Sequence, residues 1–192
     1  LLEDKFLQAR FFREKFGGNI LDEMADIRAG VQTSNNLRFL RLWWEVNQVA
    51  ISIEHSLDHN KWVKYAKGGP HNKWYGNIWL VIDWENDGKK LQNYLKSIGQ
   101  DLHAQDYYFK YGITYSASGS KGISFRELPS NHIFDIGGSC IFPIESHMNC
   151  YLLGFLNSKL TYYITKSLNP TVNIQPNDLK RIPFAQPPKD IE

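Results

Sequence analysis

Apolar residues along this chain switch between a period of two and a period near 3.6, and each switch predicts an element. The clearest alternation sets Tyr107, Phe109, Tyr111, Ile113 and Tyr115 against Tyr108, Lys110, Gly112, Thr114 and Ser116. That pattern predicts a strand with one apolar face. The Gly/Ser-rich stretch SASGSKG leads from it to ISFREL, where Ile123 and Phe125 alternate with Ser124 and Arg126. Paired as a hairpin, the two strands put Lys110, Thr114, Ser116, Ser124 and Arg126 on one polar face. NIWLVIDWEN is a short β-rich run ending in turn formers and predicts a buried strand. HIFDIGGSCIFP predicts a strand pair or a bulged strand, kinked at Gly137-Gly138.

Helical spacing appears elsewhere. Leu91, Tyr94, Leu95 and Ile98 mark an amphipathic helix after Asp87-Gly88, stopped by Gly99. Leu2, Phe6, Ala9, Phe12 and Phe16 form a stripe ended by Gly17-Gly18. Asn19 can cap a second short helix with Asp22 and Glu23 in its first turn, ended by Ala29-Gly30. Residues 31–36 form a polar loop, and LRFLRLWWEV fits helix and strand alike. Met148, Leu152, Phe155, Leu160 and Tyr163 return to helical spacing, with Asn157 as a restart point. NPTVNIQPNDLKRIPF predicts a structured loop with a short edge strand. The mixture indicates an α/β (α+β) domain, a mixed sheet covered by helices. We expect a helical lead-in over 1–28, one domain over 29–186 and the start of an exit linker over 187–192.

Composition narrows the class. At 192 residues, 42% hydrophobic and 22% charged, the chain suits one packed soluble domain. No run approaches the roughly 20 apolar residues of a membrane span, and the first turns lack the pattern of a signal peptide. Cys140 and Cys150 form no metal or disulfide framework, so a reducing cytoplasm is expected. The chain opens at Leu1 and is expected to be a piece of a longer polypeptide.

Charge is more telling in its distribution than in its sum. KWVKYAKGGPHNKWYGN carries four lysines and no carboxylate, while the whole chain sums to +2. Lys61, Lys64, Lys67 and Lys73 can neutralise phosphates. Gly68-Gly69 can bring backbone amides close to a strand. Trp62, Tyr65, Trp74 and Tyr75 can stack on bases. A solvated lysine loop anchored by buried aromatics fits the same residues equally well. The Lys110–Arg126 face carries hydroxyls and an arginine suited to base edges, and a plain solvent-facing hairpin is its simpler explanation.

Catalytic signatures are missing. Asp83, Glu85 and Asp87 sit at a strand end, where a metal-dependent nuclease keeps its ligands, but the usual lysine two residues beyond an acidic residue is absent. Turn and cap roles explain them as well. His55 and His59 lack the glutamate of HExxH, and His147 and Cys150 lack partners at zinc spacing. Neither GxGxxG nor GxxxxGK[ST] occurs, and the sites around Pro170 and Pro187-Pro188 do not make the Asp/Asn-Pro-Pro-aromatic motif that holds a flipped adenine.

Five blocks in order resemble the target-recognition region of large adenine-specific DNA methyltransferases, most of all those of BREX phage-resistance systems (the PglX family), with type IIG restriction–modification enzymes as relatives. They are GVQTSNNLRFLRLWWEV, KWVKYAKGGPHNKWYGN, ITYSASGSKGISFREL, IFDIGGSCIFP and YLLGFLNSKLTYYITKSLNPTVNIQPNDLKRIPF. Thr33-Ser34-Asn35-Asn36 departs from an expected Thr-Gly-Asp-Asn-like turn. The resemblance implies that residues 29–186 are a DNA target-recognition domain in a cytoplasmic phage-defence protein. Double-stranded DNA would be the partner, along with the methyltransferase domain of the same parent chain and other defence components or a phage-encoded inhibitor. The implied DNA-binding set is Thr33, Asn35, Lys61, Lys64, Tyr65, Lys67, Gly68, Gly69, Lys73, Thr114, Ser116, Ser118, Lys121, Ser124, Arg126, Thr171 and Asn173. No cofactor is expected here; S-adenosylmethionine would belong to the parent enzyme, a site-specific adenine methyltransferase. A metal-dependent nuclease and a protein-interaction domain are the alternatives.

Overall fold

The computed structural model describes residues 10, 11, 14, 15, 18–54, 60–119 and 121–184. The stripe over residues 1–16 lies largely outside these residues, as do His55, His59 and the exit linker. The α+β class holds, with the strands divided between two four-stranded sheets.

The first sheet joins β1 (Ala25–Arg28), β8 (Cys140–Pro143), β5 (Gly112–Tyr115) and β6 (Phe125–Leu128) in that order, all antiparallel. The second orders β2 (Leu40–Leu42), β4 (Leu80–Asp83), β3 (Trp62–Ala66) and β7 (His132–Phe134), and is mixed because β3 and β7 run parallel. HIFDIGGSCIFP is therefore neither a hairpin nor one bulged strand. Its halves enter different sheets, and a short 3-10 turn at Ile136–Gly138 carries the chain across.

Two further expectations are corrected. The helix opening near Asn19 covers only Leu21–Met24 (α1), after which Ala25–Arg28 pairs with β8. The end of the supposed lead-in thus belongs to a sheet, because Ala25 and Ile27 are buried while Asp26 and Arg28 are only partly so. LRFLRLWWEV resolves into α2 (Asn36–Phe39), β2 and a 3-10 turn at Trp43–Glu45. Asn35 caps α2 by accepting the Arg38 N–H at 3.1 Å.

Helices cover each sheet. On the second, α3 (Glu85–Ser97) buries Leu91 and Leu95 completely against Phe39, Trp84 and neighbours. Each such leucine stabilises the fold by roughly 1.5–3 kcal/mol. Asn86, Asp87 and Gly88 have positive φ, so the regular helix starts after them, and Gly99 at φ +72° ends it. On the first sheet, α4 (Asn149–Leu156), α5 (Lys159–Leu168) and α6 (Pro176–Lys180) contribute Leu152, Leu156, Ile164 and Leu179 to a second core. Asn157 ends α4 and Ser158 caps α5, so the restart falls where the sequence placed it. The sheets meet where Phe134 and Phe142 pack at 5.5 Å between ring centres. Gly30 assists this junction: a Cβ there would lie 1.9 Å from the Phe134 carbonyl oxygen.

Candidate nucleic-acid interface

Strand β3 opens the lysine segment with inward Val63 and Tyr65, both fully buried, and with Trp62 and Lys64 partly exposed. The Tyr65 hydroxyl lies 2.8 Å from the Val31 carbonyl and 2.7 Å from Asp135 Oδ2. Burial, reinforced by the Asp135 charge, holds its pKa well above the usual tyrosine value. Tyr65 is thus a core residue and not a base-stacking one.

The chain then leaves the second sheet and crosses to the first. Gly68 passes against Gly137-Gly138: a Cβ on Gly68 would sit 2.5 Å from the Gly137 carbonyl oxygen, and one on Gly138 would sit 2.9 Å from the Gly68 nitrogen. Gly69 donates its N–H to Ser116 Oγ at 3.2 Å. Gly68 lets two protein segments approach each other, a packing role in place of a close approach to DNA, whereas Gly69 is exposed. Beyond them Trp74 pairs with the open edge of β6, accepting from Glu127 N–H (3.0 Å) and donating to the Phe125 carbonyl (2.9 Å).

This crossing covers the polar face of the hairpin. Its register sets Thr114 opposite Arg126, so the shared face exists as the alternation implied. It is nevertheless interior: Thr114, Ser116, Ser124 and Arg126 are all buried, Arg126 completely. Nη2 of Arg126 donates to Ser116 Oγ (3.1 Å), and Nη1 to Ser124 Oγ (3.3 Å), the Ser124 carbonyl (3.4 Å) and the Asn72 carbonyl (3.3 Å). Thr114 donates to the Gly138 carbonyl at 3.0 Å. Burial lowers the Arg126 pKa to about 10. Ser116 and Arg126 tie the lysine segment to the sheet, Ser124 supports Arg126, Thr114 holds the turn at Gly138, and all four are buried. The strand is also shorter than the alternation suggested. Phe109 has φ +60° and a 3-10 turn occupies Gln105–Tyr107, so only Gly112–Tyr115 pairs.

The remaining predicted positions fall into groups. Lys61 lies 3.9 Å from Asp83 and 4.0 Å from Glu85, and Lys67 lies 3.7 Å from Asp135. Both are partly neutralised. Lys64 sits beside them on β3 without an ion pair to a described residue. Thr33 is buried and bonds Asn36, and Asn35 is the α2 cap, so this pair shapes a turn. By contrast Ser118, Lys121, Thr171 and Asn173 gather at the hairpin tip: Ser118 bridges Asn173, and Gly119 N–H donates to the Val172 carbonyl at 3.2 Å. Lys73 reaches the same region, its Nζ donating to the Asn157 carbonyl at 2.7 Å.

There a cleft of about 190 Å³ opens. His71 and Lys73 form one wall, Lys121 and Ile123 another, and residues from Leu156 to Tyr162 the third. No aspartate or glutamate lines it. His71, Lys159 and Tyr162 were not among the sequence candidates. Lys159, Tyr162, Tyr163 and Lys166 follow the i, i+3, i+4, i+7 spacing of one helix face, a signal available in the sequence but hidden among apolar neighbours. Trp74 and Tyr75 stand beside Lys73, 52% and 62% exposed.

The acidic trio is differently placed. Asp83 is buried and paired with Lys90 at 3.1 Å and Lys61 at 3.9 Å, which occupies the charge that a divalent ion would need. Among the described residues no three His, Cys, Asp or Glu side chains are grouped to hold a metal, and no helix is long and apolar enough to cross a membrane.

No family model matches the chain. Two characterised relatives do. It is 33% identical over 174 residues to the adenine-specific methyltransferase PglX of Lacticaseibacillus casei (strain Zhang), covering 86% of this chain and 14% of that protein. It is 33% identical over 160 residues to the adenine-specific methyltransferase BrxX of Escherichia coli O9:H4 (strain HS), covering 82% of this chain and 13% of that protein. The chain spans about one seventh of the length of these relatives. With identity at that level running through nearly all of its length, the chain is a domain related to the BREX adenine-specific methyltransferases of the PglX and BrxX type.

Proposed function

We propose that this domain binds duplex DNA and positions it for the adenine-methylating part of a longer BREX protein. The observation that carries the reading is the exposed end of the lysine segment: Lys73 with Trp74 and Tyr75, next to Lys121 at the hairpin tip. Cations suit the duplex phosphates, and the exposed rings beside them can pack on sugars or on a nucleotide drawn out of the stack. Thr171, Asn173 and Ser118, all exposed on neighbouring loops, are the remaining polar groups able to reach a groove.

S-adenosylmethionine carries a sulfonium and an ammonium against one carboxylate, so its net positive charge disfavours a cleft with three lysines and no acidic residue. The cofactor would belong to another region of the parent.

Anisotropy titration of a labelled duplex in rising salt tests the reading. Log K should fall linearly with log salt, with a slope near −0.9 per phosphate neutralised. Absent or salt-independent binding refutes it, and magnesium-dependent cutting of the duplex would favour a nuclease instead.

A further inference from the structure

The acid-free cleft is built by three segments far apart in sequence: the connection after β3, the β5–β6 tip and the α4–α5 turn. We infer that it seats one backbone phosphate of the DNA, with Lys121 and Lys159 as its principal charges. This rests on the DNA reading above and names the anchoring point within that surface.

The lysines of this domain divide into two kinds. Lys61 and Lys67 lie beside Asp83 and Asp135, whereas Lys121 and Lys159 form no ion pair with a described residue. Like charges gathered at one cleft repel one another, and an anion between them relieves that repulsion. The wall they share also carries the start of α5. Ser158 Oγ accepts the Thr161 N–H at 3.1 Å, so the Lys159 and Leu160 amides head the helix without an intrahelical acceptor. The helix dipole adds positive potential at the same place.

The walls are held before any ligand arrives. Asn157 joins the α4–α5 turn to β6, donating to the Phe125 carbonyl (2.9 Å) and accepting the Phe125 N–H (3.1 Å). Nδ1 of His71 lies 3.2 Å from the Gly122 carbonyl, which can only accept, so that nitrogen carries the hydrogen. Lys73 is fixed on the Asn157 carbonyl. A preformed site loses little side-chain freedom on binding. Tyr162, 46% exposed at the rim, offers a ring face to the adjoining sugar.

The test pairs two measurements on the 192-residue chain. In the first, the Lys121→Ala/Lys159→Ala variant is titrated with duplex against a Lys89→Ala/Lys96→Ala control on α3. The cleft variant should reduce the salt slope by about one unit and the control should leave it unchanged. In the second, inorganic phosphate is added to isotope-labelled protein at fixed ionic strength, and the Gly122, Lys159 and Leu160 amide resonances should shift. A steep wild-type slope that persists in the cleft variant overturns the inference while the DNA reading stands. If the wild type binds no duplex but phosphate still moves those amides, the DNA reading fails and an anion site remains. Unmoved amides remove the anion site.

Discussion

Replacing Arg126 separates a structural arginine from one that reads bases. Burial lowers its pKa from the ordinary arginine range to about 10, a desolvation cost to the charged form of about 3 kcal/mol. Against that stand four hydrogen bonds of 3.1–3.4 Å to neutral oxygens. These are long for charge-assisted bonds, and at about 1 kcal/mol each they total roughly 4 kcal/mol. Arg126→Met keeps most of the volume and removes both effects, so stability should change by no more than about 1–2 kcal/mol. Arg126→Ala also leaves a cavity at a completely buried position, adding about 2–3 kcal/mol. For a chain of this size the Ala variant should melt roughly 8–15 °C below wild type and the Met variant within about 5 °C. Thermal melts followed by circular dichroism measure both. An Ala variant with unchanged Tm and relaxed preference at one base pair would refute the burial and restore the base-reading role.

Two further substitutions probe the scaffold. His132 is 1% exposed, and burial, aided by the Lys64 charge and opposed by the Pro129 carbonyl, lowers its pKa to about 4. The unfolded chain takes up that proton near pH 6.5 and the folded one does not. His132 therefore lowers stability as pH falls below about 6.5, by about 2 kcal/mol at pH 5 and about 3 kcal/mol below pH 4. Urea denaturation at pH 7.5 and pH 5 should show that loss in wild type and a smaller one in His132→Phe; equal losses would exclude His132 as the source. Gly68→Ala forces a Cβ to within 2.5 Å of the Gly137 carbonyl oxygen. It should destabilise by about 1–3 kcal/mol and loosen the crossing, read as faster amide exchange at Gly69 and Trp74. Exchange as slow as wild type would show that the crossing does not depend on this contact.

Local patterning was enough to locate several elements. Leu91, Tyr94 and Leu95 recur at helical spacing and Gly99 supplies the positive φ that ends α3, so that helix was legible from neighbours within a few residues. The β5–β6 pairing and the α4–α5 restart were legible for the same reason. Periodicity alone also placed Thr114, Ser116, Ser124 and Arg126 together on one face. It could not say what covers that face, because the cover includes Gly69 and Asn72, 47 and 54 positions upstream of the side chains they bond. Two polar surfaces that looked like two parts of a DNA wall are instead stacked, one beneath the other. The division of strands between two sheets was equally hidden, since β3 and β7 pair across the intervening residues 67–131. The cleft of Lys73, Lys121 and Lys159 exists only where three distant segments converge. A sequence records which side chains share an element; which charges find a carboxylate and which are left facing solvent is decided by how the elements pack.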